Sequence, residues 1–208
     1  MTPSFDNPST STGNRLYFGH LGGTSTTGDH NSWFPEMWTW LIATFDAKSV
    51  LDVGCGIGWA QKFFFDSGLI TLGIDCEQMI PHRVTSAPMV AHDLTKAAWV
   101  AGQSSDLVWC CEVAEHIDET FVHNVVNTLV WNCGKVLAFS AAPPGADGHH
   151  HVNCRAEEYW IEKMTASGQL EHSELLTQQA KKMCSAEYGR TENNYFRRSG
   201  LIFTRKEL

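Results

Sequence analysis

Three glycines that follow a short apolar run are the clearest chemical signal in the sequence. Residues 49–53 read as a buried strand, Gly54, Gly56 and Gly58 come at every second position after it, and helix-compatible residues begin at Trp59. Glycine lets the backbone turn sharply and approach a ligand without a Cβ in the way, and a following helix presents unpaired N–H groups. The pattern is typical of a nucleotide site, although a strand-to-helix turn in another α/β protein has the same composition.

Two aspartates follow later apolar runs. Asp75 ends the run 70–75 and lies 21 residues beyond Gly54. Nucleotide-binding βαβ units place an acid at about this separation, where it accepts hydrogen bonds from both ribose hydroxyls. Asp93 follows the shorter run 88–91. A solvated loop aspartate is the alternative for each, and the spacing of Asp75 favours a ligand.

A third cluster combines two glutamates with a histidine. Glu112, Glu115 and His116 stand at i, i+3 and i+4 directly after an apolar run. On one helical turn this spacing brings two carboxylates and an imidazole to a common side. Two oxygens and one nitrogen suit Mg²⁺, Mn²⁺ or Zn²⁺.

Three consecutive histidines form a fourth cluster. His149, His150 and His151 lie between Gly148 and Val152, after a Pro-Pro-Gly segment. Residue alternation would turn His150 away from its two neighbours. We expect at least one of the three to contact a substrate or to act as a general base, and the sequence leaves open which one.

These clusters need secondary structure to position them. The predicted strands are 49–53, 70–75, 88–91, 106–111, 134–140 and an antiparallel 201–204; the predicted helices are 33–45, 59–67, 119–131, 156–167 and 175–185. This alternation predicts an α/β, Rossmann-like, doubly wound and mostly parallel sheet of about seven strands with helices on both faces. Ligands of such sheets bind outside the carboxyl ends of the strands, so the clusters are expected to meet there.

Composition limits the class of protein further. A chain of 208 residues, 43% of them hydrophobic, is expected to form one domain, residues 31–208, preceded by an irregular arm or lid, residues 1–30. The net charge of −8 disfavours an extended nucleic-acid surface. No apolar run approaches the roughly 18 residues of a membrane span. Seven cysteines without a C-x-x-C pair indicate reduced thiols, and we expect a cytoplasmic protein. The oligomeric state stays open.

The sequence resembles the class I S-adenosylmethionine-dependent methyltransferases. It carries segments similar to four of their motifs, in the family's order: Val50-Leu-Asp-Val-Gly-Cys-Gly-Ile-Gly58, the acid of Gly73-Ile-Asp75, the acid of His92-Asp93-Leu94, and Asp106-Leu-Val-Trp-Cys-Cys-Glu-Val-Ala-Glu-His-Ile117. The resemblance covers roughly residues 45–140. The chain after Ser140 departs from what the family shares, as expected where acceptor specificity is built.

The resemblance implies roles for these residues. Asp75 would hold the ribose of S-adenosylmethionine, and Asp93 with Leu94 would flank the adenine. The other residues assigned to the cofactor are Asp52, Gly54, Cys55, Gly56 and Gly58 around its methionine part, together with Cys76 and Glu112.

The Glu-x-x-Glu-His segment resembles the metal-binding element of two methyltransferase subgroups. These are the ubiquinone-pathway O-methyltransferases and the small-RNA 3′-terminal 2′-O-methyltransferases, and in the latter a distant histidine completes the site. By that resemblance Glu112, Glu115, His116 and His150 would hold a divalent metal. Many class I enzymes carry Glu-His at this point without a metal, so metal-free catalysis is the main expectation and metal assistance the minor one, with His116, His149, His150 and His151 as the catalytic set.

The resemblance therefore implies an enzyme that transfers a methyl group to an oxygen, less readily a nitrogen, of a small-molecule or sugar-like acceptor, with metal assistance as one version of the reaction. An RNA 3′-end 2′-O-methyltransferase and a non-catalytic S-adenosylmethionine-binding protein are the alternatives. A nicotinamide oxidoreductase is disfavoured, because its G-x-G-x-x-G pattern needs glycine at position 59, which is Trp59.

Overall fold

One central sheet organises the protein. The computed structural model describes residues 15–17, 23–25, 29–184 and 194–206. In chain order the elements are β1 (Arg15–Tyr17), β2 (Gly23–Ser25), α1 (Pro35–Phe45), β3 (Ser49–Val53), α2 (Trp59–Asp66), β4 (Ile70–Asp75), β5 (Met89–Ala91), β6 (Ser105–Cys111), α3 (Val122–Asn132), β7 (Cys133–Ser140), α4 (Glu157–Thr165), β8 (Leu170–His172), α5 (Glu174–Cys184), α6 (Tyr195–Ser199) and β9 (Leu201–Arg205).

Seven of these strands form the sheet, in the order β5–β4–β3–β6–β7–β9–β8. The central strand β3 pairs in parallel with β4 and β6, and β9 runs antiparallel to both β7 and β8. The predicted α/β, Rossmann-like, mostly parallel fold is confirmed, including the antiparallel last strand. The carboxyl ends of β3, β4, β5 and β6 consequently meet at one edge.

Each face of the sheet carries its own apolar core. Along β6, Leu107 and Trp109 pack on the side of α1, α2, α5 and α6, whereas Val108 and Cys110 pack on the side of α3 and α4. This alternation follows from the period of two in a strand. The buried ring of Trp38 in α1 contacts Trp109 edge-on at a centroid distance of 5.5 Å. Burial on both faces explains why β3 and β6 read as nearly continuous apolar runs.

The observed elements differ from the predicted ones where the local signal is weak. Helix α1 begins at Pro35 rather than at residue 33, because proline suits the first helical turn. The helix predicted at 119–131 divides into a 3₁₀ turn, Glu119–Phe121, and α3. The sequence analysis missed β8 and α6, which have three and five residues and no extended periodicity. It also missed β1 and β2, which pair antiparallel within the segment predicted as irregular.

Two general features complete the description. Among the described residues, no helix combines the length and the apolar character that crossing a bilayer requires. All seven cysteines carry free thiols. Burial holds the pKa of the Cys110 thiol well above its usual range, so this thiol stays protonated and packs as an apolar group.

Candidate active site

A cavity of about 430 Å³ opens at the carboxyl ends of the parallel strands. All but one of the residues that the sequence assigned to a cofactor form the wall of this cavity. They are Asp52, Gly54, Cys55, Gly56, Asp75, Cys76, Asp93, Leu94 and Glu112. Gly58 lies behind the wall, where it caps α2 with a φ of 91°. Sequence clusters that lie far apart along the chain therefore share one cavity.

The glycine turn after β3 requires glycine at two positions for different reasons. Gly54 has a φ of 71°, and a Cβ there would lie 2.2 Å from the Val113 side chain. Gly56 has a φ of 56°, in the left-handed region that favours glycine. The N–H groups of Gly54 and Cys55 both donate to the carbonyl oxygen of Ile74, which fastens the turn to β4.

Asp75 supports the turn from the neighbouring strand. Its Oδ2 accepts a hydrogen bond from the Gly56 N–H at 2.6 Å, and its Oδ1 accepts one from the Cys76 N–H at 2.7 Å. Burial raises the pKa of Asp75 to about 6, although these two N–H donors act in the opposite direction. A carboxylate oxygen can accept more than one hydrogen bond, and Asp75 lines the cavity.

Asp93 lies across the cavity at the end of β5. Its Oδ1 accepts hydrogen bonds from the N–H and the hydroxyl of Thr95, at 2.8 and 2.7 Å. This local turn fixes the position of the carboxylate and of the adjacent Leu94, which is buried against the core.

Asp52 is a deeply buried acid of the wall. Its side chain is 2% exposed, and its Oδ2 has no hydrogen-bond partner among the described residues. Burial, followed by the nearby charge of Asp75, raises the pKa of Asp52 to about 8. A buried carboxyl oxygen without a partner is costly unless a ligand supplies a donor. A cationic amine such as that of S-adenosylmethionine would supply both donor and charge, so the wall fits this cofactor.

Glu112 is the first residue after β6, and its backbone is strained. Its φ of 56° is unusual for a residue with a side chain. The side chain accepts a hydrogen bond from the Ser140 hydroxyl at 2.9 Å and one from Arg198 Nη2 at 3.0 Å. Burial raises the pKa of Glu112 to about 6, against the effects of Ser140 and Arg198.

Glu115 and His116 follow in a 3₁₀ turn, Ala114–His116, and not in the helical turn that the sequence predicted. That prediction, which put Glu112, Glu115 and His116 on one side, is wrong: the left-handed backbone of Glu112 breaks the helical geometry, and Glu112 is held by Ser140 and Arg198 instead.

The Glu115 carboxyl group is fully buried at the cavity wall. Its side chain is 0% exposed, and neither of its oxygens has a hydrogen-bond partner among the described residues. Burial, with the nearby Glu112, holds the pKa of Glu115 well above its usual range. Burial also lowers the pKa of His116 to about 4, and His151 contributes in the same direction. Near neutral pH, therefore, His116 is an uncharged imidazole.

The loop that carries His149, His150 and His151, called the histidine loop, lies against Glu115 and His116. Nδ1 of His151 is 3.0 Å from the carbonyl oxygen of Ala146, which can only accept. This contact places the proton on Nδ1 and leaves a lone pair on Nε2. The His151 ring meets the His116 ring edge-on at 5.1 Å. The N–H groups of Val152 and Asn153 donate to the carbonyl oxygen of Glu115, both at 3.0 Å, so the loop is fastened to the turn.

The three histidines take different positions. His149 and His151 line the cavity, whereas His150 does not. His150 has a φ of 54°, in the left-handed region that is unusual for a residue with a side chain. Glu115, His116 and His151 can bring one ligand atom each to within 4.8 Å of one another. This group differs from the metal set predicted from the sequence: it contains His151 rather than His150, and it does not contain Glu112.

Several wall residues were not among the cofactor, catalytic or metal residues predicted from the sequence. They are Tyr195 and Arg198 in α6, together with Asp29, Ser32 and Trp33 before α1, and Asp29 lies within the segment 1–30 that was predicted to be an arm or lid. No local pattern marks Tyr195 and Arg198, since their place depends on the packing of α6. Phe196 beside them stacks on Trp109 at 5.5 Å with an interplanar angle of 18°.

The comparisons with known proteins agree with this site. Residues 51–131 match the family model described as "Methyltransferase domain". No curated protein matches the chain. The matched range holds β3 to most of α3, and it therefore contains the glycine turn, Asp75, Asp93 and the Glu112–His116 segment.

Several solved structures share the fold at low identity. An amino pentose methyltransferase from Micromonospora echinaspora, solved with S-adenosylmethionine, is 17% identical with a TM-score of 0.59, over 84% of this chain and 92% of that one. A magnesium protoporphyrin IX methyltransferase from Synechocystis is 20% identical with a TM-score of 0.53, over 83% and 80%. A sugar N-methyltransferase from Streptoalloteichus is 14% identical with a TM-score of 0.58, over 81% and 86%. At these identities the similarity establishes the fold.

Proposed function

We propose that this chain, an S-adenosylmethionine-dependent methyltransferase by its matched domain and its fold, transfers a methyl group to an oxygen, less readily a nitrogen, of a small-molecule or sugar-like acceptor. One observation carries the proposal: a single cavity joins the strand-end acids Asp52, Asp75 and Asp93 to the imidazoles of His116 and His151. The first group suits a cofactor and the second suits an acceptor.

Three acids would hold the cofactor. The free Oδ2 of Asp52 suits the cationic amine, Asp75 suits the ribose hydroxyls, and Asp93 suits the exocyclic amine of adenine, with Leu94 beside the ring. The glycine turn at Gly54 and Gly56 lets the backbone approach the same ligand. When bound, the cofactor supplies a methyl group on a sulfonium centre, which is open to in-line attack by a nucleophile.

The histidines would prepare the acceptor. A hydroxyl is a weak nucleophile until its proton is removed, so a base must lie at the acceptor end of the cavity. Nε2 of His151 carries the free lone pair, because Nδ1 donates to the Ala146 carbonyl. Nε2 of His151 would accept the proton of the acceptor hydroxyl, and the bound cofactor would supply the methyl group to the acceptor oxygen, with its methyl–sulfur bond broken and S-adenosylhomocysteine as the leaving group. His116 and His149 line the same end and would orient the acceptor.

Methyl transfer assisted by a bound metal ion is the second candidate function, and the unpartnered buried atoms of Glu115 and His116 favour it. Both oxygens of the buried Glu115 carboxyl lack partners, and His116 Nδ1 also lacks one among the described residues. A cation held by Glu115, His116 and His151 would satisfy these atoms and would lower the pKa of an acceptor hydroxyl. Two imidazoles with one carboxylate suit Zn²⁺ better than Mg²⁺, which prefers oxygen ligands.

Other acceptors and roles fit less well. An RNA 3′ end would bring phosphates to a wall that carries Asp29, Glu112, Glu115 and Asp147, and Arg198 is already paired with Glu112. A non-catalytic binding protein would have no use for the imidazoles at the acceptor end. The proposal also assigns the enzyme to the cytoplasm, where its seven free thiols stay reduced.

A labelling experiment tests the proposal. Protein and methyl-labelled S-adenosylmethionine are incubated with fractionated small-metabolite extract, with short RNA, and with no acceptor, each with and without a chelator. Label in a hydroxyl-bearing metabolite supports the proposal, and loss of transfer in the chelator selects the metal-assisted version. Label confined to RNA, or cofactor binding without transfer to any fraction, would overturn it.

A further inference from the structure

The cavity has one wall that comes from outside the sheet. Asp29, Ser32 and Trp33, which precede α1, line the cavity opposite the strand ends. The ring of Trp33 packs edge-on against Trp59, the first residue of α2, at 6.4 Å. This short stretch, residues 29–33, is called the upstream wall below. It covers the region beside the glycine turn, where the proposed function places the cofactor.

The upstream wall is built around Asp29. The Oδ1 atom of Asp29 accepts a hydrogen bond from the Asn31 N–H at 2.8 Å, and its carbonyl oxygen accepts bonds from the N–H and the hydroxyl of Ser32, at 3.1 and 2.9 Å. These contacts are local and shape the turn. The remaining carboxyl oxygen, Oδ2, makes a long-range contact, because it accepts a hydrogen bond from the Tyr195 hydroxyl at 3.0 Å.

Tyr195 is well placed to hold the wall because α6 is itself fixed on several sides. Asn194 accepts a bond from the Arg197 N–H at 3.0 Å and donates to the Cys184 carbonyl at 3.1 Å. Arg198 Nη2 donates to Glu112 Oε2 at 3.0 Å. Below the cavity surface, Phe196 contacts Phe34 at 6.0 Å, so an apolar contact lies directly beneath the polar one.

The chemistry of Tyr195 keeps this contact intact across the physiological pH range. Burial and the neighbouring Asp29 hold the pKa of Tyr195 well above its usual range, so the hydroxyl keeps its proton and donates it. The other charged groups that face the ring are Arg198, whose guanidinium lies 5.3 Å from the ring centroid, and Glu112.

We propose that Tyr195 is a positioning residue whose hydrogen bond to Asp29 holds the upstream wall over the cofactor and limits the rate at which S-adenosylhomocysteine leaves. The inference rests on the proposed function, which puts the cofactor in this cavity. When the hydrogen bond between Tyr195 and Asp29 breaks, residues 29–33 separate from α6 at the cavity surface. The contact between Phe34 and Phe196 still holds the chain that follows against α6.

The test is the dissociation rate of S-adenosylhomocysteine, measured by stopped-flow tryptophan fluorescence, since Trp33 and Trp59 line the cavity. Tyr195→Phe removes one hydroxyl and is expected to raise the dissociation rate about fivefold, the effect of losing one hydrogen bond. Asp29→Asn is the conservative variant: the tyrosine hydroxyl can still donate to the amide oxygen, so release should be slower than in Tyr195→Phe.

Tyr159→Phe is the matched control. The Tyr159 hydroxyl bonds to Glu119 at 2.5 Å, outside the cavity wall, so its loss should leave release unchanged. A second readout is hydrogen exchange of the Ser32 amide, which donates to Asp29, in cofactor-free protein. This amide should exchange faster in Tyr195→Phe than in the wild type or in Tyr159→Phe.

The outcomes separate the two proposals. Wild-type release and wild-type Ser32 exchange in Tyr195→Phe would overturn the role of Tyr195 and leave the proposed function standing. Failure of the wild-type protein to bind S-adenosylhomocysteine would overturn the proposed function and this inference with it.

Discussion

The His151 imidazole lies directly against the Cα atom of Gly148: a Cβ on Gly148 would stand 2.1 Å from His151 Nε2. Real Cβ atoms essentially never lie within 3.0 Å of such a neighbour, so a side chain at position 148 would force the His151 ring to move. The nitrogen in question is the one whose lone pair is free, because Nδ1 bonds to Ala146. A residue without a side chain therefore fixes the position of the proposed base.

Substitution of Gly148 should displace that base without touching the cofactor acids. Gly148→Ala is expected to lower kcat by about 100-fold, the effect of misplacing a catalytic group by about 1 Å. Gly102→Ala is the matched control, since nothing lies within 4 Å of the added Cβ there. Steady-state kinetics with calorimetric binding of S-adenosylhomocysteine would check both; equal kcat in the two variants would argue against a positioned His151.

Substitutions at His150 and His151 should have different effects on turnover. His151→Ala is expected to lower kcat by at least about 100-fold with cofactor affinity retained, as for the loss of a general base. His150→Ala should turn over normally, because this ring lies outside the cavity wall. Turnover of the two variants at saturating cofactor is the measurement. A larger defect in His150→Ala than in His151→Ala would show that the base has been assigned to the wrong residue.

Asp75 should make cofactor affinity depend on pH. Burial raises its pKa to about 6 in the free protein, and the ionised carboxylate is the better acceptor for ribose hydroxyls. Binding therefore favours the ionised form, so affinity is highest above pH 7 and falls as the pH drops through about 6. Asp75→Asn cannot titrate and should lose this step. The measurement is calorimetric affinity for S-adenosylhomocysteine, for the wild type and for Asp75→Asn, at several pH values between 5 and 8. If the affinities of the two proteins change with pH in the same way, Asp75 is not the group that binds the ribose.

The metal-assisted version predicts a specific pattern of zinc binding. Calorimetric titration should give one Zn²⁺ site that is lost in His116→Ala and in His151→Ala, since both are ligands in the proposed group. His150→Ala should keep the site. If the wild type binds no Zn²⁺, or if only His150→Ala loses it, the metal reading fails and the metal-free mechanism remains.

Local chemistry made much of the fold, and the meeting of the strand-end acids in one cavity, predictable. The bounds of β3 and β4 match the predicted 49–53 and 70–75, because a buried strand between turn residues has a strong local pattern. Asp75 could be singled out by its distance from the glycine turn. Asp52 could be placed through the motif it belongs to, although its unpartnered oxygen could be found only in three dimensions.

The acceptor end could not be predicted in the same detail, because it depends on backbone conformation and on distant packing. The choice between His150 and His151 depends on a left-handed φ at one and a carbonyl contact at the other. The separation of Glu112 from Glu115 likewise follows from a φ of 56° that helical spacing does not anticipate. Arg198 reaches Glu112 across 86 positions of the chain, so no sequence window contains both.

The most direct test of the account is the binding of S-adenosylhomocysteine to the wild type and to Asp75→Ala, measured by calorimetry. The account predicts one molecule bound per chain, and a loss of at least about 1.5 kcal/mol in the variant, since charge-assisted hydrogen bonds to the ribose are removed. Asp66→Ala, an exposed acid at the far end of α2, is the control and should bind as the wild type does. Absence of binding to the wild type, or unchanged affinity in Asp75→Ala, would contradict the claim that the strand-end cavity is the cofactor site.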